Sequence, residues 1–212
     1  MTSVAIVTLP EFNEIDSFVA LHILNRADGV TAYLAGPDPE VVSMNGVVTG
    51  ISGTLVDAAG ADAVIVGSGR LTRQFANDPE FLESLDLDPA RQLIASQCSG
   101  ALVLARKGLL AGLPVCTDNK TRRWIEDLGL TVSGGSLSVS GNTATAGGCL
   151  SAQYLATWVL LRLTDAAETR RALAYVAPVG EGERFIDELI GMAGRADPVL
   201  LHNPVAAPSA RP

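Results

Sequence analysis

The sequence predicts an α/β fold: a flavodoxin-like, doubly wound, mostly parallel sheet with helices on both faces, a three-layer sandwich. Three observations predict it. The runs at residues 4–8, 30–35, 63–66 and 92–96 are short and rich in Val, Ile and Ala, and a near-continuous apolar run is what a strand covered on both faces requires. Segments between them repeat their apolar residues every three or four positions, so strands alternate with helices as in βαβ units. A chain of 212 residues that is 48% hydrophobic and 18% charged has enough apolar surface to bury the core of one such domain.

The elements follow in order. Residues 4–8 form a strand that Pro10 stops, because proline has no N–H for a ladder. From Glu11 onward Phe12, Ile15, Val19 and Ile23 recur at helical spacing, with acidic residues in the first turns and Gly29 at the far end. Residues 30–35 give the second strand, and the Gly- and Ser-punctuated stretch 44–55 reads as a β-hairpin or two short strands. Residues 63–66 are a buried strand ended by Gly67-Ser68-Gly69. A helix is predicted over 78–85 with Asn77 as cap, a strand over 92–96, and a helix over 99–110 ending near Gly112. After Val115-Cys116-Thr117 comes a helix over 120–128, then short strands at 131–132, 137–139 and 143–146, and a long apolar helix over 150–163. One domain is expected over residues 1–197. The tail from Pro198, with Pro204, Pro208 and Pro212, is too poor in large apolar residues for a core of its own and is expected to be partly disordered.

Composition narrows the partners. A net charge of −8 disfavours nucleic acid, whose binding rests on clustered cations; the pairs Arg122-Arg123 and Arg170-Arg171 read as solvated helix faces. No apolar segment reaches the roughly 18 residues that a bilayer span needs, and no basic stretch precedes an apolar one, so a cytoplasmic protein without a membrane partner is expected. The three cysteines, Cys98, Cys116 and Cys149, show no C-x-x-C spacing, and the two histidines, His22 and His202, are not at ligand spacing. Neither a disulfide framework nor a metal site is suggested, no cofactor is expected, and the remaining partner class is a small-molecule substrate.

Sites in open parallel sheets form at the carboxyl ends of the strands, so the loops after Thr8, Val66, Ser96 and Thr117 are expected to meet on one rim. The run Ser96-Gln97-Cys98-Ser99-Gly100 has small residues two before and two after its cysteine, as a nucleophile elbow requires where a strand turns sharply into a helix. At the amino end of that helix the thiol is expected to have a lowered pKa. Cys116 and Thr117 are expected to line the pocket from the next strand end, and Cys149, after Gly147-Gly148, reads as core. Asp118 either caps the helix that follows or supplies a polar pocket group.

Taken together, these residues resemble the ThiJ/PfpI superfamily, the flavodoxin-like group, with a class I glutamine amidotransferase-like fold, that includes the parkinsonism-associated protein deglycase and the bacterial isonitrile hydratases. The pieces that carry the resemblance are Val4-Ala5-Ile6-Val7 with Asn13-Glu14-Ile15-Asp16, residues 62–71, residues 96–110 and Thr145-Ala146-Gly147-Gly148, spread over most of residues 3–165. The run from Cys98 to Leu104, followed by Gly108-Leu109-Leu110, is similar to the hydratase branch, as is Ala174-Tyr175-Val176-Ala177-Pro178.

The resemblance implies roles. Cys98 would be the nucleophile and Asp16 an acid beside its sulfur, with a pKa raised by partial burial. Backbone N–H groups of Gly69 and Ser99 would be oxyanion-type donors, and Glu14, Ser68, Arg70, Thr117 and Asp118 would border the substrate. Asp118 stands where many relatives carry histidine, so no Cys–His dyad is expected and amidotransferase-like chemistry is disfavoured. The implied activity is that of an isonitrile hydratase-like hydro-lyase, acting as a homodimer. Glyoxalase-type conversion of α-oxoaldehydes and a non-catalytic redox- or ligand-sensing domain are the alternatives.

Overall fold

A computed structural model describes residues 1–202. Its main sheet is built from β1 (Thr2–Val7), β2 (Val30–Ala35), β5 (Ala63–Val66), β6 (Leu93–Gln97), β7 (Leu137–Ser140) and β8 (Thr143–Ala146), in the order β2-β1-β5-β6-β8-β7. All neighbours pair in parallel except β7, which runs antiparallel to β8 at the edge. The two faces explain why these strands show no polar alternation. Val4, Ile6, Ile65 and Ala95 face one apolar layer while Ala5, Val7, Val64, Val66 and Ile94 face the other.

The first layer is closed by α1 (Glu14–Leu24), α7 (Ala152–Leu163), α8 (Ala166–Val176) and α9 (Gly182–Ala196), and the second by α2 (Leu55–Gly60), α4 (Pro79–Ser84), α5 (Gly100–Arg106) and α6 (Arg122–Glu126), with the single turn α3 (Thr72–Phe75) beside α5. Several boundaries differ from expectation for local reasons. Helix α1 begins at Glu14 rather than Glu11, because Glu11 takes a positive φ of 60° and the Asn13 side chain accepts the Ile15 N–H as cap. The hairpin is β3 (Glu40–Val42) with β4 (Val48–Gly50), and Leu55 belongs to α2, whose Thr54 and Asp57 form a reciprocal capping box. Asp78, not Asn77, caps α4, with Pro79 in its first turn. Helix α5 is shorter than predicted, since Gly108 leaves it at a φ of +72°. Residues 131–132 make only an isolated bridge, between Val132 and Val115.

The stretch that the sequence sets apart as a tail begins with helical turns. Residues Pro198–His202 form a further short helix, α10, and residues 203–212, with the rest of the predicted disorder, lie outside the described residues. This end is fastened by Asp197, which is 2% exposed, accepts from Trp158 Nε1 at 2.8 Å and pairs with Arg162 at 2.9 Å. Removing that carboxylate leaves the buried Trp158 indole donor without its acceptor and the largely buried Arg162 guanidinium without its counter-charge, with only the neutral Gly141 carbonyl and Asn142 Oδ1 left to it. Asp197→Ala is therefore expected to cost about 3 kcal/mol in urea-induced unfolding; a cost below half of that would show that the pair is not the fastening.

Candidate functional site

The carboxyl ends of β1, β5, β6 and β8 meet on one rim, and Cys98 stands at its centre. Strand β6 ends at Gln97 and α5 begins at Gly100, so the chain reverses within two residues and Cys98 adopts a φ of 48°. A side chain in that region costs of order 1–3 kcal/mol, and the surroundings hold it there. The Cys98 N–H donates to the Ala146 carbonyl at 2.8 Å, and its carbonyl accepts from Thr117 Oγ1 at 2.8 Å. Gly100 is needed because a Cβ there would lie 2.3 Å from the Val66 carbonyl oxygen and 2.7 Å from that of Gly67. Gly100→Ala is expected to cost about 1–3 kcal/mol by overpacking, measurable as a lowered thermal midpoint, and an unchanged midpoint would show that the elbow has room to relax.

The Cys98 thiol is 4% exposed but not sealed: it forms part of the wall of a cavity of about 320 Å³ bordered also by Asn13, Ser68, Arg70, Asp118 and Trp124. Beside it lies Asp16, in the first turn of α1 and 1% exposed. One Asp16 oxygen accepts from the Ser68 hydroxyl, and Oδ1 has no hydrogen-bond partner. An Asp16 oxygen, Cys98 Sγ and Cys149 Sγ all lie within 4.8 Å of one another. Asn13 Nδ2 donates to Cys149 Sγ at 3.1 Å, and Gln97 Nε2 sits 3.7 Å from Cys98 Sγ while donating to the Gly148 carbonyl at 2.8 Å.

Burial raises the Asp16 pKa, against the pull of donors on Ser68, Cys98 and Cys149. Burial, and then the nearby Asp16 carboxylate, push the Cys98 thiol up as well. The expectation of a lowered thiol pKa is thus corrected: α5 has only seven residues, and loss of solvent plus a facing carboxylate outweigh so short a helix dipole. Each group's negative charge disfavours the other's, so the pair resists a second ionisation. The Ser68 hydroxyl favours placing the first charge on Asp16, so Ser68→Ala is expected to move ionisation of the Asp16 carboxyl to higher pH in a carbon-13 NMR titration. A shift to lower pH, or none, would mean the hydroxyl does not serve the carboxylate.

The other expected site residues divide. Ser68, Gly69, Arg70, Ser99 and Asp118 border the cavity. The Gly69 N–H points at the Cys98–Ser99 turn and reaches Ser99 Oγ at 3.4 Å, while the Ser99 N–H has no backbone partner among the described residues. Asp118 borders the cavity, and its side chain accepts from the N–H groups of Lys120 and Thr121 at 2.9 and 3.0 Å in the turn ahead of α6, whose own cap residue is Thr121. Glu14 does not join the cavity; its carboxylate turns to the hairpin and accepts from Ser43 and from Asn45 Nδ2. Thr117 serves the elbow through its bond to the Cys98 carbonyl instead of lining the space, and Cys116 is fully buried with its N–H on Thr145 Oγ1 at 2.9 Å. Tyr175 is also elsewhere, its ring 5.7 Å from that of His22 and under Arg26.

Cys149, expected in the core, belongs to the site and is half-buried. Topology explains it: β8 lies next to β6, so the turn after β8 lands beside the turn after β6. The Gly147-Gly148 pair at a strand's carboxyl end was the available signal. Sequence reasoning also missed Asn13, Arg73 and Trp124, the last two stacked with the guanidinium 4.5 Å from the ring centroid. One carboxylate oxygen and two sulfurs are a donor set that a soft cation accepts, although burial raises both thiols and so resists the thiolates that such binding needs.

A mostly parallel sheet of this order, with a cysteine at a strand-to-helix elbow and a buried acid close to its sulfur, defines a class, the flavodoxin-like α/β proteins. The chain belongs to the DJ-1/PfpI family, whose model matches residues 2–161. No curated protein matches. Among solved structures, the oxidized DJ-1 of Toxoplasma gondii superposes with a TM-score of 0.71 at 21% identity over 83% of this chain and 98% of that one. A ThiJ/PfpI family protein of Pseudomonas syringae gives 0.74 at 20% identity, covering 94% and 90%. A cysteine-to-alanine mutant of a DJ-1 superfamily protein from Salmonella typhimurium gives 0.69 at 24% identity, covering 84% and 100%. These likenesses establish the fold. Among the described residues no helix is long and apolar enough to cross a membrane.

Proposed function

We propose that this protein is an isonitrile hydratase-like lyase that adds water to an isocyanide and releases an N-substituted formamide. The observation that carries the reading is the pairing of Cys98 with a buried acid, Asp16, at the wall of a cavity that Asp118 also borders. An isocyanide carbon accepts both a nucleophile and a proton. As Cys98 Sγ bonds to that carbon, the proton held by the pair passes through Asp16 onto the same carbon, giving a neutral thioimidate and an Asp16 carboxylate. The carboxylate then takes a proton from water, whose oxygen attacks the thioimidate carbon, and Asp16 passes that same proton on to the nitrogen. The C–S bond breaks as the hydroxyl collapses to the formamide carbonyl, and its proton returns to the Cys98–Asp16 pair. A carboxyl with a raised pKa is suited to this exchange.

The test is a product assay with a simple aryl isocyanide and methylglyoxal side by side. Formamide from the first, with little lactate from the second, is the expected result; lactate alone would replace this reading by the glyoxalase-type one.

A further inference from the structure

The second sulfur has no part in the hydration chemistry, yet it faces the first. Cys149 sits in the 3-10 turn Cys149–Ser151, directly after Gly148 at a φ of +87° and ahead of α7. Its Sγ lies within 4.8 Å of both Cys98 Sγ and an Asp16 oxygen, and the Asn13 amide holds it at 3.1 Å on the site side of the turn. It is half-buried, whereas Cys98 is almost wholly so. The third cysteine, Cys116, is fully buried with its backbone tied to Thr145 and is not in this group.

We propose that Cys149 is a resolving thiol for Cys98, so that the protein reduces hydroperoxides through a Cys98–Cys149 disulfide. Cys98 Sγ attacks the outer oxygen of a hydroperoxide and the O–O bond breaks. The thiol proton passes by way of Asp16 to the departing oxygen, which leaves as an alcohol or water, and Cys98 becomes a sulfenic acid. Cys149 Sγ then attacks Cys98 Sγ; the hydroxyl group departs with a proton as water, and the two thiols have supplied the two electrons. A small thiol reductant restores both. The sulfurs, now within 4.8 Å of each other, need to close to about 2.05 Å. A nearby resolving thiol diverts the sulfenic acid from irreversible oxidation to sulfinic acid. The inference rests on the geometry of the pair and not on the hydratase reading.

The full chain is exposed to hydrogen peroxide, its remaining thiols are blocked, and its peptides are mapped by non-reducing mass spectrometry. The expected product is one disulfide joining the Cys98 and Cys149 peptides, with the loss of two hydrogens from the intact mass, reversed by dithiothreitol and retained in Cys116→Ser. Cys149→Ser and Cys149→Ala are expected to accumulate Cys98 sulfinic acid instead, and to lose dithiothreitol-dependent peroxide consumption. Sulfinic acid at Cys98 in the unsubstituted protein to the same extent as in those variants, or a disulfide through Cys116, would overturn the proposal.

Discussion

Replacing Cys98 by alanine is expected to bring formamide production from an aryl isocyanide down to the rate measured without protein, a loss of about 10⁴-fold or more, because covalent catalysis disappears and only binding remains. A second substitution separates chemistry from folding. Cys98 holds a φ of 48°, a conformation that glycine adopts without the penalty a side chain incurs. Cys98→Gly is thus expected to be as inactive as Cys98→Ala yet more stable than it by about 1 kcal/mol, read from urea unfolding. Equal activity in either variant and the unsubstituted protein would remove the thiol from the mechanism. A glycine variant less stable than the alanine one would show that the elbow is not strained.

The second large effect concerns Asp16→Asn, which keeps the shape of the side chain and removes its proton. Turnover is expected to fall by about 10²–10⁴-fold, the usual contribution of a positioned acid–base group. Stability is expected to move the other way. The folded-state pKa of Asp16 is raised from its ordinary value by burial, so the folded protein holds the proton more tightly than the unfolded chain. Below the ordinary carboxyl range both states are protonated and the full stability is present. As pH rises through that range toward the raised folded value, the unfolded chain ionises first and stability is lost. The asparagine side chain of the variant cannot ionise, so its stability relative to the unsubstituted protein is expected to increase with pH across this window and level off above it. A difference that shrinks with rising pH would mean that the buried carboxylate is better stabilised than its surroundings allow, and that the acid role belongs elsewhere.

Much of this site was legible in the sequence because it is local. The small residues around Cys98 state the steric demand of an elbow, and Gly100 meets it against the Val66 and Gly67 carbonyls. Asp16 was named by the resemblance to a family, since acidic residues in a first helix turn are by themselves no more than helix-start signals. The sheet was legible because both faces are covered, which leaves strands such as Ala63–Val66 with no polar position. What escaped depends on contacts between distant segments. Cys149 enters the site only because β8 pairs with β6, a neighbour relation that no spacing along the chain records. Glu14 leaves it because Ser43 and Asn45, in a hairpin some thirty residues on, offer hydrogen bonds outside the cavity. The direction of the Cys98 pKa escaped for the same reason: a helix start is visible in sequence, whereas burial beside a carboxylate is not. No helix was read beyond residue 163, although α9 buries Ile186, Leu189 and Ala193 and packs on α7.

Both the activity loss and the proton bookkeeping depend on a covalent bond between the Cys98 sulfur and the substrate carbon. The most direct test is intact-mass and peptide analysis of the protein acid-quenched during turnover of an aryl isocyanide. The account predicts a transient adduct of the whole isocyanide on the Cys98 peptide, absent from Cys98→Ala and vanishing as formamide accumulates. Formamide release at the full rate with no adduct at any quench time, or an adduct on Cys149 or Cys116 in its place, would contradict it.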